Sequence, residues 1–260
     1  MNETALITGG GQRLGKAMGL ALAKAGVNLV VHYFESKNQA EELVMEASSY
    51  GVKACSVQAN LLLENDLQEL VPRAFELIGT PLTILINNAS IFEYDNLENA
   101  TFESWDRHLN SNLRAPLFLT QAFAKQAPKS NFDENGERLA LSNVINIVDQ
   151  RVKKLTPEFM TYSIAKMGLW SLTQTAAQAL APHIRVNAIG PGPTLKGRRQ
   201  SSDHFATQRE STILRRGASP DDISFALMYL LKSPGVTGQL ICVDGGQHLA
   251  WETPDVLGLE

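Results

Sequence analysis

The chain has 260 residues, a length that suits one large α/β domain or two small ones, and its 44% of hydrophobic residues are enough to build a sizeable core. The formal net charge of −4 gives no electrostatic support to binding of nucleic acid or of an anionic membrane. The sequence lacks the basic start and long apolar stretch of a signal peptide, and no apolar run is long enough to span a bilayer. Cys55 and Cys242 lie in apolar, strand-like runs without a C-x-x-C pattern, so we expect a reduced cytoplasmic protein with buried thiols.

Short β-branched runs alternate with helical patterns along the whole chain. In chain order, strands are predicted at residues 4–8, 27–33, 52–58, 82–87, 143–148, 184–190 and 239–244. Helices are predicted at residues 14–24, 38–49, 66–77, 102–109, 114–127, 157–180 and 221–231. Several strands are apolar on successive residues, which is typical of a parallel sheet buried on both faces. The pattern therefore predicts one α/β domain over residues 1–260, a doubly wound Rossmann fold whose seven-stranded, mostly parallel sheet is flanked by helices.

A glycine-rich turn, LITGGGQRLG, follows the first predicted strand and opens the first predicted helix. Gly9, Gly10, Gly11 and Gly15 let the backbone approach a pyrophosphate, whose charge the helix N-terminus attracts. Arg13 stands where dinucleotide sites often place a second close-packing glycine. Because a cation is unfavourable at a helix N-terminus, we expect an anion such as a cofactor phosphate beside it; an ordinary surface arginine is the alternative.

The end of the second predicted strand bears on the choice of cofactor. NAD-binding sites usually place an acid there to hold the ribose 2′-hydroxyl, whereas this chain has His32 and Tyr33, followed by Ser36 and Lys37. A 2′-phosphate is not repelled where the acid is missing, which favours NADP(H). Glu35 argues in the other direction, because it lies close to the expected phosphate pocket.

The chemistry is expected after the fifth predicted strand, at Asp149, Tyr162 and Lys166. Tyr162 and Lys166 lie four residues apart and share a helical face. A free tyrosine has a pKa of about 10, and a neighbouring ammonium group lowers it. The position after a strand end favours a catalytic pair, since ligand crevices of such folds lie there.

A polar, basic and poorly periodic segment follows the sixth predicted strand, from Pro191 to Pro220. A long irregular segment inside a compact domain is often a lid or a binding loop, and we expect residues 193–218 to form the substrate loop. A solvated surface excursion is the alternative.

Together these features resemble the short-chain dehydrogenase/reductase family, through TGGGQRLG, NNAS, LNSNLRAP, YSIAK, GPGPT and VDGG, which span nearly the whole chain. The resemblance implies that Tyr162 is the general acid, that Lys166 lowers its pKa and holds the nicotinamide ribose, and that Asn112 holds a water of the proton relay. It also implies a homotetramer and a small-molecule substrate, with no metal. The implied cofactor site comprises Gly9, Gln12, Arg13, Leu14, His32, Tyr33, Ser36, Asn60, Leu61, Asn88, Ala89, Ser90, Tyr162, Lys166, Pro191 and Gly192.

The chain departs from the common family pattern at Arg13, Asn60, Ser90 and Asp149. Arg13, Ser90 and Asp149 resemble the pteridine reductase branch, and Phe92 stands where that branch stacks an aromatic side chain on the pterin. The resemblance implies that the substrate contacts Arg13, Ser90, Phe92, Asp149 and Tyr162. Glu35 does not match the branch, which tends to have a basic residue there.

A carboxylate in place of the usual catalytic serine bears on the substrate. An ionised Asp149 would repel the developing oxyanion of a ketone, whereas a C=N bond needs a proton on its nitrogen as the carbon receives hydride. An acid that shares a proton with Tyr162, directly or through water, fits that need and makes Asp149 a member of a proton relay. The leading hypothesis is therefore an NADPH-dependent reductase of a pterin or a similar heterocycle. The alternatives are a carbonyl reductase for a 3-oxoacyl thioester, with the basic Lys196–Arg216 segment docking an acidic carrier protein, and a non-enzymatic nucleotide sensor. In the plainest interpretation Asp149 only caps a turn and Phe92 is core.

Overall fold

A parallel sheet of seven strands forms the centre of the molecule, in a computed structural model that describes residues 3–197 and 200–251. The seven strands are β1 (Thr4–Ile7), β2 (Asn28–Tyr33), β3 (Ala54–Gln58), β4 (Ile84–Asn87), β7 (Ser142–Ile147), β8 (Ile184–Pro191) and β9 (Leu240–Val243). Their order across the sheet is β3-β2-β1-β4-β7-β8-β9, and every neighbouring pair is parallel. A separate short hairpin pairs β5 (Asn131–Phe132) with β6 (Arg138–Leu139). The predicted fold class is confirmed.

Helices cover both faces of this sheet. They are α1 (Arg13–Lys24), α2 (Lys37–Ser48), α3 (Glu64–Ile78), α4 (Phe102–Leu109), α5 (Ala115–Gln126), α6 (Met160–Leu180), α7 (Ser202–Glu210) and α8 (Pro220–Lys232). Alternate strand residues face opposite layers: Ala5 and Ile7 pack in the core cluster with α1, α2 and α8, whereas Leu6 packs in the cluster with α3, α5 and α6. Burial on both faces explains why the strands are apolar on successive residues. No helix of the described chain has both the length and the apolarity that crossing a membrane requires.

Three local features differ from the sequence-based prediction. The predicted helix at residues 157–180 begins only at Met160, because Phe159 adopts a left-handed conformation (φ 55°) that cannot continue a helix. The α4 and α5 helices are joined by a π-helical turn, Asn110–Arg114. The segment predicted to be irregular contains α7, whose first turn is capped by the Ser201 side chain bonded to the His204 amide (3.1 Å).

The two cysteines differ from expectation in their burial. Cys55 on β3 and Cys242 on β9 are free thiols, as expected, but both are half-buried rather than buried. The edge positions of their strands explain this, since β3 and β9 are the two outer strands of the sheet. Burial raises the pKa of both thiols, that of Cys242 to about 11.

The carboxyl ends of the parallel strands bring the candidate residues to one edge of the sheet. The glycine turn follows β1, Asn88 follows β4, Asp149 follows β7 and Gly192 follows β8. Strand order reverses between β1 and β4, because the chain crosses from β3 back to the far side of β1. A crevice at such a reversal is where doubly wound folds bind their ligands.

Candidate active site

Asp149 and Tyr162 are joined by a hydrogen bond at the carboxyl edge of the sheet. The Tyr162 hydroxyl donates to Asp149 Oδ2 over 2.8 Å. The other carboxylate oxygen, Oδ1, accepts from the Arg151 amide at 2.8 Å, so Asp149 also caps the 3₁₀ turn Gln150–Val152. The Arg151 amide thus fixes the orientation of the carboxylate, and the second carboxylate oxygen is hydrogen-bonded directly to Tyr162.

Lys166 lies one helical turn after Tyr162 and is almost completely buried, with 2% of its surface exposed. Its Nζ donates to the Ile147 carbonyl (2.8 Å) and lies 5.6 Å from the centre of the Tyr162 ring. The carbonyl belongs to the last residue of β7, so the strand end holds the ammonium group beneath the tyrosine. The predicted Tyr–Lys face is therefore present, although the lysine is bonded to the backbone rather than to the phenol.

The electrostatics of this cluster raise the pKa of both of its acids. Burial raises the pKa of Asp149, and burial together with Asp149 raises the pKa of Tyr162 well above its usual value. Burial lowers the pKa of Lys166 to about 8, and Asp149 opposes that shift. The expected lowering of the Tyr162 pKa by Lys166 is therefore not observed, because burial and Asp149 raise this pKa. Tyr162 stands as a protonated donor at neutral pH.

An aromatic wall stands beside the tyrosine. Phe92 is 51% exposed, so it is not a core residue. Its ring stacks on Phe159 (centroids 4.4 Å apart, planes 11° apart) and meets the edge of Tyr162 at 4.7 Å. Tyr94 contacts Phe159 edge-on at 5.2 Å. Phe159 and Tyr94 were not identified as site residues from the sequence. Nothing in the sequence indicates that Phe159 adopts the left-handed conformation in which its ring stacks on Phe92.

Asn112 lies on the π-helical turn and is fully buried. Its side-chain amide donates to the Ile91 carbonyl (2.9 Å) and accepts from the Ile91 amide (2.9 Å). Single π-helical turns are often found at functional sites. Here the turn fixes the backbone next to Phe92, and the water-holding role expected of Asn112 stays a prediction.

A buried polar chain that the sequence did not reveal lies behind the aromatic wall. The Glu93 amide donates to His108 Nε2 (3.1 Å), and His108 Nδ1 is 2.6 Å from the Thr161 hydroxyl. The Thr161 hydroxyl in turn donates to Asp95, whose other oxygen accepts from the Thr161 amide (3.2 Å). Since Nε2 accepts, Nδ1 carries the proton and donates, so every hydrogen bond in the chain has a defined direction. The chain ties the Phe92 segment to the first turn of α6, next to Tyr162.

The turn after β1 requires glycine at two positions, Gly9 and Gly15. Gly9 has φ of 59°, and a Cβ added to Gly15 would lie 2.5 Å from the Gly9 carbonyl oxygen. Asn88 secures the turn, because its Nδ2 donates to the carbonyls of Thr8 (2.9 Å) and Gly9 (3.0 Å), while the Ala89 amide donates to the Thr8 hydroxyl (3.0 Å). Gln12 caps α1 without a side-chain hydrogen bond, and Leu14 packs at the edge of the core. The free amino end of α1 fits a pyrophosphate.

Arg13 is exposed and makes contacts that the sequence did not predict. Its guanidinium donates to the carbonyls of Leu195 (3.1 Å) and Lys196 (3.0 Å), so it ties the segment after β8 to the glycine turn. The two carbonyls therefore accept from the Arg13 guanidinium, beside which we expected an anion. Its contacts with cofactor and substrate stay predictions.

The structure places the His32 ring, at the end of β2, inside the protein rather than against a cofactor phosphate, where we expected it. Its ring is buried: Nδ1 accepts from the Gly9 amide (3.0 Å), and Nε2 lies 3.0 Å from the Ala59 carbonyl, to which it donates. Burial lowers the pKa of His32 to about 4, so it is neutral. Both ring nitrogens are engaged within the protein, and His32 therefore supports the glycine turn instead of facing a phosphate.

The other predicted cofactor residues remain near this edge. Tyr33 ends β2 and is half-buried, while Ser36 caps α2 without a side-chain hydrogen bond. The Asn60 side chain accepts from the Leu62 amide (3.0 Å) in a local turn. The Leu61 side chain is buried in the core, and the contact of this residue with the cofactor stays a prediction. Lys37, beyond Ser36, forms an exposed ion pair with Glu41 (3.6 Å).

The segment expected to form the substrate loop is anchored at its base. Arg209 on α7 donates to the carbonyls of Pro193 (2.8 Å), Gly217 (3.0 Å) and Ala218 (2.7 Å). At the end of β8, Pro191 leads to Gly192, where a Cβ would lie 2.5 Å from the Asp244 Cβ, so only glycine fits. Two positions of the segment, 198 and 199, lie outside the described residues. A lid function for residues 193–218 stays a prediction.

Among residues 3–197 and 200–251 no group of His, Cys, Asp or Glu side chains has the arrangement of a metal site.

Comparison with known proteins agrees with this geometry. Residues 11–248 match the family model described as enoyl-(acyl carrier protein) reductase. A 3-oxoacyl-[acyl-carrier-protein] reductase FabG of Staphylococcus epidermidis is 30% identical over 96% of this chain and 100% of its own length. A crystal structure of FolM alternative dihydrofolate reductase 1 from Brucella canis, complexed with NADP, has a TM-score of 0.89 and 39% identity over 99% of this chain and 98% of its own. The Brucella suis FolM alternative dihydrofolate reductase 1, also in complex with NADP, has a TM-score of 0.90 and 40% identity over 98% of each chain.

The family model covers most of the chain, and the FabG relative aligns over nearly its full length. The Gly-rich turn after β1 and the Tyr162–Lys166 face beside the end of β7 lie where the sequence motifs place them. The chain belongs to the short-chain dehydrogenase/reductase family of oxidoreductases.

Proposed function

We propose that this protein is an NADPH-dependent reductase of a pterin or a similar flat heterocycle, with the reducible bond a C=N. The observation that carries the proposal is the 2.8 Å hydrogen bond between Tyr162 and Asp149 beside the exposed ring of Phe92. A hydroxyl and a carboxyl in direct contact can deliver a proton to a nitrogen, and an exposed aromatic ring offers a stacking surface for a flat substrate.

The cofactor is NADP(H), and the described residues fit it. The pyrophosphate would bind at the amino end of α1, where the Gln12 side chain forms no capping hydrogen bond, beside the closely packed Gly9 and Gly15. Ser36 at the amino end of α2, with Lys37 beside it, would take the 2′-phosphate. Lys166 would hold the nicotinamide ribose. When bound, NADPH supplies the hydride.

The proton step follows from the geometry of the pair. The ring carbon of the C=N bond receives hydride while the adjacent nitrogen takes a proton from the Tyr162 hydroxyl. Asp149 lies 2.8 Å from that hydroxyl, and burial raises its pKa, so it holds a proton more readily than an exposed carboxyl and can return one to Tyr162. The protonated Lys166 would stabilise the transient phenolate.

The name of the Brucella relatives supports this substrate class, because dihydrofolate reduction is the addition of hydride and a proton to a C=N bond of a pterin ring. Their identity to this chain, 39% and 40%, exceeds the 30% of the FabG relative. The comparison therefore favours the heterocycle over the thioester.

Reduction of a 3-oxoacyl thioester is the second candidate, favoured by the FabG relatives. In that hypothesis the basic segment from Lys196 to Arg216 docks an acidic carrier. The contacts of three arginines in this segment weaken the case for carrier docking. Arg209 holds three backbone carbonyls, Arg216 pairs with Asp222 (3.3 Å) and Arg215 lies 3.7 Å from Glu210.

A panel assay separates the two candidates. Turnover of dihydrobiopterin, dihydromonapterin, dihydrofolate and an acetoacetyl thioester would be measured with NADPH and with NADH. We expect turnover of at least one dihydropterin with NADPH and tighter binding of NADPH than NADH. Turnover of the thioester alone would contradict the proposal, and equal affinity for the two cofactors would identify Glu35 as the deciding charge.

A further inference from the structure

Arg151 lies beside the aromatic wall and was not predicted as a site residue. It is in the 3₁₀ turn that Asp149 caps, so its backbone is fixed to the catalytic carboxylate through the 2.8 Å bond from its amide. Its guanidinium carbon lies 4.8 Å from the centre of the Phe159 ring, and Phe159 stacks on Phe92 at 4.4 Å. A cation is thus joined through two aromatic rings to the surface proposed to hold the substrate.

The charge of Arg151 reaches the reacting groups without pairing tightly with them. It lowers the pKa of both Asp149 and Tyr162, although burial dominates the pKa of each. Its Nη1 donates to the Thr156 hydroxyl (3.1 Å), a neutral acceptor. The side chain is partly exposed, whereas Lys166 is buried beneath Tyr162. Arg151 therefore presents positive charge toward the solvent side of the wall.

We propose that Arg151 is a specificity-determining residue that binds an anionic substituent of the heterocyclic substrate, most simply a carboxylate. The inference rests on the proposed function, since it assigns a recognised group to the same site. A flat ring stacked on Phe92 would carry its substituent past Phe159 toward the guanidinium. The planar guanidinium, whose carbon lies 4.8 Å from the centre of the Phe159 ring, keeps N–H donors in a fork that matches a carboxylate.

The test compares two substrates that share a pterin ring and differ in charge. Dihydrofolate carries carboxylates on its tail, and dihydrobiopterin has an uncharged side chain. Arg151→Gln should raise KM for dihydrofolate about tenfold, as expected for a lost charge-assisted hydrogen bond, and should change KM for dihydrobiopterin by less than about twofold. Added salt should raise the wild-type KM for dihydrofolate and leave that of the variant unchanged.

Lys153→Gln is the matched control, because Lys153 lies two residues away with its Nζ 5.6 Å from the Trp170 ring rather than at the Phe92 wall. It removes the same charge and should leave both KM values unchanged. Arg151→Lys keeps the charge and should retain part of the preference for dihydrofolate.

Each other outcome overturns the inference in a recognisable way. Equal rises in KM for both substrates would mean that Arg151 only braces Phe159. The same loss in Lys153→Gln would mean that general surface charge, not a site, attracts the anion. Wild-type reduction of dihydrobiopterin with no effect of Arg151→Gln on dihydrofolate would reject the inference while leaving the proposed function standing. Reduction of neither pterin would reject the proposed function itself.

Discussion

At the scale of single residues, Asp149 has two roles that sequence reasoning treated as alternatives. Its Oδ1 caps the turn at Arg151, and its Oδ2 accepts from Tyr162, each over 2.8 Å. The turn-capping interpretation and the proton-relay interpretation are therefore compatible, because a carboxylate has two oxygens and the cap fixes the direction of the second. A serine at this position has a single oxygen and could not serve both partners in the same way.

Replacing Asp149 with serine should separate reduction of a C=N bond from reduction of a ketone. Loss of a positioned acid typically lowers the rate by a factor of about 10² to 10⁴, so turnover of a dihydropterin should fall by that amount while NADPH affinity is unchanged. Ketone turnover should stay the same or rise, because serine donates to an oxyanion without charge. The measurement is turnover of one dihydropterin and one ketone from pH 5 to 9.

Asp149→Asn is the control for shape, since its amide oxygen can still accept from the Arg151 amide while the acid is lost. It should reduce pterin turnover as strongly as the serine variant. Undiminished pterin reduction by Asp149→Ser would show that the carboxyl is not needed for the chemistry.

Phe92→Ala should weaken substrate binding more than stability. Phe92 is 51% exposed and contacts Phe159 and Tyr162, so truncation should lower the free energy of unfolding by only about 1 kcal/mol. KM for a dihydropterin should rise several-fold, with the dissociation constant of NADPH unchanged. Phe118→Ala on α5, where the ring is 43% exposed, is the matched control and should leave KM unchanged. A large loss of stability with an unchanged KM would assign Phe92 to the core after all.

At the scale of elements, the sequence predicts the regular strands and helices, but it does not predict local irregularities of the backbone. Strand–helix alternation and runs such as Leu29–Val31 identify every strand of the main sheet, because burial on both faces leaves a continuous apolar signal. The left-handed residue Phe159 and the π-helical turn Asn110–Arg114 have no such signal, since ordinary helix-compatible residues form them under tertiary constraint. The site residues Asp149, Tyr162 and Lys166 were predictable, but the Ile147 carbonyl that holds Lys166 and the Phe159 ring that stacks on Phe92 were not.

The buried chain from His108 through Thr161 to Asp95 joins two elements, and Thr161→Val should loosen that joint. Valine has nearly the shape of threonine, but it leaves His108 Nδ1 and Asp95 without their shared hydroxyl. Asp95 keeps the Ser104 hydroxyl (3.0 Å), so the group left unsatisfied is His108 Nδ1. One unsatisfied buried group costs about 1–3 kcal/mol, so the melting temperature should fall. KM for a dihydropterin should rise, because the Phe92 segment is freed from α6, while NADPH affinity stays constant.

Thr161→Ser restores the hydroxyl and should recover both the substrate KM and most of the stability. Recovery of stability without recovery of KM would contradict a positioning role for this chain and would leave it a purely structural one.

At the scale of the whole molecule, one buried histidine connects three strands at the edge where the cofactor site is proposed. His32 at the end of β2 accepts from Gly9 after β1 and donates to Ala59 after β3. The sequence placed His32 at the right strand end, but its direction was not predictable, since an imidazole suits a phosphate contact as well as a backbone tie. Its almost complete burial decides between them, with 2% of its surface exposed.

Stability of the whole fold should therefore depend on pH through His32. Its pKa is about 4 in the folded protein against about 6.5 unfolded, so between these values the unfolded chain binds more protons. Stability from this residue is fully present above pH 6.5 and is lost as the pH falls toward 4, by up to about 3 kcal/mol. Urea unfolding from pH 7 to 4 would be compared for wild type and His32→Asn, whose amide oxygen can still accept from Gly9. The variant should be less stable at pH 7, and the gap to wild type should narrow as the pH falls. His204→Asn removes an exposed histidine on α7 and is the control, so its dependence of stability on pH should follow that of the wild type. If stability changes with pH in the same way for His32→Asn and the wild type, the pKa of His32 does not differ between the folded and unfolded states.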